Sequence, residues 1–286
     1  MKILLLPAFI LLFSITRAQT KDTLAVEEVR VKAYFSEQSI KTLPASVSVI
    51  DLQTLQNQAP FSLVGAVNSA PGVRMEERSP ASYRLSIRGS VLRSPFGVRN
   101  VKVYMDDFSL TDAGGNTYLN LLDAGSVSGI ELIKGPEGSI YGANTGGVML
   151  LQSFQKPDSL FIGATLSAAS NNTFLQRFSF QQRKEKYQIA IQQGVVKSNG
   201  YREHSNSERK YLQLVPRFNY APKAELKALL LFSDLQYETP GGITQEQFDI
   251  NPRSARAQAV SQQAEIFNKT LFGGVSHEFK LSNHLR

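Results

Sequence analysis

The stretch 130–151, IELIKGPEGSIYGANTGGVMLL, decides how this chain is read. Apolar runs at its two ends (Ile130, Leu132 and Ile133; Val148, Met149, Leu150 and Leu151) predict two buried strands. Between them stand Gly135, Gly138, Gly142, Gly146 and Gly147. Glycine lets backbone N–H groups approach an anion closely, so a phosphate cradle is the first reading to test. A P-loop needs Gly-Lys-Ser/Thr at its end and a dinucleotide fingerprint needs G-x-G-x-x-G opening a helix; neither spacing occurs. The glycines therefore predict a tight loop with positive φ or close backbone packing.

The chain opens with Met1-Lys2, an apolar run over 3–15 (ILLLPAFILLFSI) and Ala18 before Gln19. This is the layout of a secretory signal peptide over residues 1–18, because the run is well short of the ~20 residues a spanning helix needs. The chain has no cysteine, which excludes a disulfide framework, a thiolate metal site and a lipoprotein acylation site. Loss of Lys2 and Arg17 takes the formal charge from +7 to +5, compatible with an anionic ligand or with lipopolysaccharide. No later stretch approaches ~18 consecutive apolar residues, so a membrane role would use β-structure. His204, His277 and His284 lack metal-ligand spacing, and neither G-x-S-x-G nor H-E-x-x-H occurs. No catalytic residue, metal site, cofactor or nucleic-acid partner is expected, and the chain does not read as an enzyme.

Residues 19–39 are polar except for LAVEEVRVKA (24–33), where Val29 and Val31 alternate with Arg30 and Lys32. The patch predicts an extended strand with no sequence neighbour for a hairpin, able to add itself to another protein's sheet edge. Residues 40–155 read as one α+β domain. SVSVID (46–51) is a strand ending in Asp51, which can cap a helix starting near Leu52. FSLVGAVNSAPG (61–72) is a helix with Leu63, Val64 and Val67 on one face, stopped at Pro71-Gly72. YRLSIRG (83–89), VKVYMDD (101–107) and SGIELIKG (128–135) are strands, and YLNLLDAG (118–125) is a short helix.

From residue 156 the pattern is strand after strand: LFIGATLSA (160–168), TFLQRFSFQ (173–181), KYQIAIQQGVV (186–196), KYLQLVPRFNY (210–220), AELKALLLFSDLQY (224–237) and KTLFGGVSHEFKL (269–281). Segments of about ten residues that alternate apolar and polar, with aromatic ends, are the signature of a transmembrane barrel wall; the competing reading is a soluble β-sandwich. About six strands cannot close around the preceding domain, and a plugged lumen goes with about 22, so residues 156–286 are expected to be the first strands of an incomplete barrel.

The order of these pieces resembles the TonB-dependent outer-membrane receptors: signal peptide, coupling box, plug domain, barrel. SIRGS (86–90), VYMDDFSL (103–110) and IELIKGPEGSIYGANTGGVMLLQS (130–153) look like the family's plug signatures in family order. The resemblance implies a membrane β-barrel with an N-terminal α+β plug. Within 24–33, Leu24, Glu28, Val29, Val31 and Ala33 resemble the TonB box of Bacteroidetes-type receptors, although the patch can instead be the first plug strand. Arg88 and Lys134 take the positions of plug-to-wall contacts; Lys134 stands where the family usually has arginine, so a single ammonium contact replaces a bidentate one there.

The stretch 237–259, YETPGGITQEQFDINPRSARAQA, resembles an early extracellular loop of the ferric citrate receptor branch. It carries Arg253 and Arg256, and expected plug apices carry Arg74, Arg78, Arg93 and Arg99; such a cluster suits carboxylate-rich ferric chelates. The resemblance implies TonB-dependent import of a ferric siderophore or ferric dicarboxylate across the Gram-negative outer membrane. The partners it implies are TonB with its inner-membrane energising complex, the chelate and outer-membrane lipid. Uptake of cobalamin, another metal chelate, a peptide or a glycan stays open, as does a passive barrel.

Overall fold

The computed structural model describes residues 30–31, 38–58, 61–79, 82–90, 97–117, 119–142, 146–153 and 160–281. The expected signal peptide lies outside them. Two short strands come first, β1 (Arg30–Val31) and β2 (Gln38–Ser39), paired antiparallel. The patch around Val31 thus has a neighbour after all, a correction to the unpaired strand expected there. Two residue pairs suffice because Val31 is buried against Leu43, Ile133, Tyr141, Val148 and Leu150.

The mixed domain follows: β3 (Ser46–Ile50), α1 (Leu52–Gln58), α2 (Val64–Asn68), β4 (Val73–Ser79), β5 (Ser82–Ile87), β6 (Val101–Met105), β7 (Phe108–Ser109), β8 (Gly129–Lys134) and β9 (Gly147–Gln152). Asp51 caps α1, its carboxylate accepting from the Thr54 N–H at 2.8 Å. Five strands form one sheet in the order β3–β8–β9–β6–β7, with β6 and β9 parallel and the rest antiparallel. Strand β8 is buried along its length between β3 and β9, which is why its sequence reads as an apolar run. The connection from β8 to β9 is the tight loop its glycines predict. Gly147 has φ +127°, and a Cβ there would overlap the carbonyl oxygen of Ile133.

One strand was not expected and one expectation changes. VRMEERS (73–79) is a strand, hidden by its charges, since among its described side chains Val73 and Met75 are the buried ones. YLNLLDAG is not one helix but two 3-10 turns, Leu119–Leu121 and Ala124–Ser126. Asp123 separates them, extended (φ −83°, ψ 134°) so that its carboxylate accepts from the Gly125 N–H at 2.8 Å.

The wall comprises β10 (Leu160–Ala169), β11 (Thr173–Arg183), β12 (Tyr187–Ser198), β13 (Ser207–Ala221), β14 (Ala224–Glu238) and β15 (Glu265–Phe279). Each pairs antiparallel with its sequence neighbour in a single six-stranded sheet. One face exposes Leu160, Ile162, Leu166, Phe178, Leu230 and Leu271, from 41% at Phe178 to 73% at Leu166 and Leu271. A sandwich would cover that face with a second sheet, and this one faces outward instead. The other face packs on the mixed domain: Ala190, Tyr211, Val215, Leu229 and Leu231 share one core with Ile130, Leu132, Met149 and Leu151. The strands join through short turns at one end; at the other, α3 (Gln245–Ile250) and α4 (Ala257–Ser261) lie in the long connection from β14 to β15. No helix among the described residues is long and apolar enough to cross a membrane, so a crossing would use strands.

Contact between domain and wall depends on missing side chains. A Cβ on Gly274 of β15 would sit 2.5 Å from the Phe108 ring. Gly274→Ala should therefore destabilise the detergent-solubilised chain by about 1–3 kcal/mol, and adding Phe108→Leu should recover much of the loss. Thermal unfolding of the two single variants and the double variant checks this; purely additive losses would show that the two residues do not press on each other.

Candidate functional site

Three places join the mixed domain to the wall or open between them. The first is a clamp at Asp123, whose side chain is 3% exposed. Its Oδ1 accepts from Arg177 Nε and from the Gly125 N–H, while Oδ2 accepts from Arg209 Nη2 at 3.0 Å. Arg177 stands on β11 and Arg209 on β13, and Gly194 of β12 lies between them. A Cβ on Gly194 would lie 3.5 Å from Asp123 Oδ2, and one on Gly125 would lie 2.6 Å from Arg177 Nε. The missing side chain at Gly125 lets carboxylate and guanidinium meet, whereas a Cβ on Gly194 would make only ordinary contact. Burial pushes the Asp123 carboxyl up, but Arg209, Arg177 and the hydrogen bonds outweigh burial and hold it below the ordinary value of 3.8.

The second place is the short-turn end. Asp106 and Asp107, between β6 and β7, meet the wall through Arg217 Nη2 at 3.2 Å and Lys227 Nζ at 2.8 Å respectively. Lys227 is shared with Glu225 and Glu278. These groups, with Glu131 and Tyr141, line a cavity of about 570 Å³. Tyr141 also packs on Val31, so the β1 strand lies at this end.

The third place is a cleft at the long-loop end, of about 570 Å³, between the β4–β5 hairpin and the wall. Phe61, Ser62, Glu77 and Tyr83 form one side; Tyr201, Arg202, Ser205 and Arg209 contribute to the other. Burial, then the Glu77 carboxylate, push the Tyr83 phenol above its ordinary value. Arg202 holds the long connection down, donating to the carbonyls of Ser254 at 2.7 Å and Gly241 at 2.8 Å.

Of the arginines expected to bind ligand, Arg74, Arg99, Arg253 and Arg256 are not among the residues that line this cleft. Arg74, at the base of the β4–β5 hairpin, pairs with Glu76 at 2.7 Å. Arg99 donates to Asn116 Oδ1 at 2.6 Å. Arg253 donates to the Tyr201 carbonyl at 3.0 Å and lies over its ring, and Arg256 donates to Gln258 Oε1 at 2.5 Å. Arg93 and the side chain of Arg78 lie outside the described residues, as do Leu24, Glu28, Val29 and Ala33. Lys134 donates to the Pro71 carbonyl at 2.6 Å, a contact inside the mixed domain; burial, then the nearby Arg88 guanidinium, lower its pKa. The charged contacts to the described wall run instead through Asp106, Asp107 and Asp123, with the polarity reversed: the domain supplies carboxylates and the wall supplies cations. A lone charge on the polar face of a barrel strand, such as Arg177 in TFLQRFSFQ, is the one sequence sign of such a partner.

Comparison with protein families matches residues 39–148 to the TonB-dependent Receptor Plug Domain. The mixed domain is thus similar to the plug of a TonB-dependent receptor. The ferrioxamine receptor of Yersinia enterocolitica is 24% identical over 208 residues, 72% of this chain and 29% of that protein. The vitamin B12 transporter BtuB of Vibrio vulnificus (strain CMCP6) is 28% identical over 128 residues, 44% of this chain and 19% of that one. Among solved structures, the unliganded ferric citrate transporter FecA superposes with a TM-score of 0.67 at 16% identity, covering 83% of this chain and 38% of that one. FpvA of P. aeruginosa bound to a pyoverdine gives 0.65 at 15% identity, covering 87% and 34%. The chain thus spans less than two fifths of the length of these proteins, and its fold is a receptor plug with barrel strands around it. These relatives are receptors and transporters, not enzymes.

The clamp gives the receptor plug a pH signature. A depressed carboxylate stabilises fully above its unfolded value, and the contribution fades as pH falls through the lower folded one. Asp123→Asn should cost about 3 kcal/mol at neutral pH, leaving two guanidiniums facing a neutral amide. The gap between parent and variant should hold down to an ordinary carboxylate value of 3.8 and close below it, read from unfolding midpoints across pH. A gap unchanged well below that value would mean the loss is steric.

Proposed function

We propose that this protein is an active importer that carries a ferric siderophore or ferric dicarboxylate complex across the Gram-negative outer membrane, energised through TonB. The observation that carries this reading is the two-ended plug. Its β4–β5 hairpin lines a cleft at the long-loop end, and the β1 strand lies at the short-turn end. In outer-membrane barrels long loops face outward and short turns face the periplasm, so cleft and coupling strand fall on opposite sides. A passive pore has no use for that arrangement. The box, Leu24, Glu28, Val29, Val31 and Ala33, would be taken by TonB as an added strand, held by main-chain hydrogen bonds.

A ferric chelate is favoured over cobalamin by the extent of similarity. The ferrioxamine receptor matches over 208 residues of this chain, the vitamin B12 transporter over 128. A carboxylate-rich chelate draws no support from Arg74, Arg99, Arg253 or Arg256, which make the local contacts described above.

Binding and uptake should separate. Val29→Pro, which removes an N–H, should stop uptake of radiolabelled iron, whereas Val29→Ala should weaken it modestly, and both should bind chelate as the parent does. Ferric citrate and ferrioxamine B serve as probes, with cyanocobalamin as the alternative cargo. Equal uptake by the proline variant and the parent would remove the coupling role, and uptake of cyanocobalamin alone would reassign the cargo.

A further inference from the structure

The clamp and the outer cleft share one side chain. Arg209 lines the cleft while its Nη2 donates to Asp123. The other arginine of the clamp, Arg177, is not among the residues that line the cleft. The two carboxylate oxygens are also unequal: Oδ1 has Arg177 and the Gly125 N–H, whereas the hydrogen bond to Oδ2 comes from Arg209. Moving Arg209 would leave a charged oxygen buried without that donor, a cost of about 1–3 kcal/mol or more.

We propose that Asp123 is a positioning residue that couples the cleft to the plug: an anionic oxygen of a ligand in the cleft draws Arg209 away, and the plug is then held at this point by Arg177 alone. The coupling rests on the reading of the cleft as the ligand site. The segment that loosens is the one Asp123 organises, because its carboxylate caps the turn Ala124–Ser126 and its carbonyl accepts from the Ser126 hydroxyl at 2.7 Å.

The absence of cysteine from the chain makes a clean reporter possible. Ser126 is 1% exposed, so Ser126→Cys should react slowly with a maleimide in isolated outer membranes. Ferric citrate, an anionic chelate, should raise that rate about tenfold, the equivalent of 1.4 kcal/mol. Asp123→Asn should raise the ligand-free rate by about the same factor and abolish the response, and Arg209→Gln should do likewise. Arg177→Gln should raise the ligand-free rate and keep a response, since Arg209 remains. Amide exchange of residues 119–129 in the unsubstituted protein reads the same opening and does not depend on the cysteine variant folding.

Radiolabelled iron binding is measured alongside. If ferric citrate binds and both reporters stay unchanged, the coupling is wrong while the ligand-site reading survives. If ferrioxamine B, a cationic chelate, produces an equal response, competition for Arg209 is wrong. If neither chelate binds the parent, the ligand-site reading falls and the coupling falls with it.

Discussion

A buried carboxylate shared by two guanidiniums on different strands fixes where this plug sits. Asp123 is nine-tenths or more enclosed, so its charge is tolerable only where opposite charge and hydrogen bonds meet it. Arg177 and Arg209 supply both, from strands on either side of β12. Because the wall register is set by continuous antiparallel ladders, the two arginines hold a constant spacing, and the plug can satisfy Asp123 in one position only.

Shape reinforces that choice. The Asp123 clamp closes over Gly125, and Phe108 sits on Gly274. On the same inward face Tyr211, Leu229 and Leu231 complete the plug's own core. Wall and plug are therefore not two separately finished domains. The wall's inner face is polar where it meets carboxylates, small where backbone must pass and apolar where the sheet of the plug needs covering. Asp106 and Asp107 repeat the charge pattern at the opposite end, with Arg217 and Lys227 as partners, so the plug is held near both ends of the wall strands.

What could be read from the residues follows from the range of the forces involved. The strands of the wall were legible because alternation is local: AELKALLLFSDLQY at 224–237 is found as Ala224–Glu238. The cap at Asp51 was legible for the same reason. The loop 135–147 was legible because glycine at Gly147 has one steric meaning. The clamp was not, since Arg177 and Arg209 lie 54 and 86 positions from Asp123 and nothing near any of them announces the others. The partners of the arginines in 237–259 were not legible, because guanidinium suits a carboxylate ligand and a backbone carbonyl equally well; Arg253 donates to the carbonyl of Tyr201.

Strand β1 and the body of the plug differ in how firmly they are held, and that difference bears on how the plug could work. Strand β1 is fastened by two residue pairs and by the burial of Val31. Burying one valine is worth about 1.5–3 kcal/mol, less than the about 3–5 kcal/mol that follows from breaking one buried ion pair. The plug body is held by several such pairs and a shared core. Release of β1 is therefore the cheaper step, and it frees an extended edge without disturbing the Asp123 clamp or the five-stranded sheet. Among the described residues, a partner that takes the strand by its main chain must compete with β2 and the pocket around Val31. Anything that then displaces the plug body must overcome contacts of a different order, the ion pairs of Asp106, Asp107 and Asp123 and the core shared with the wall.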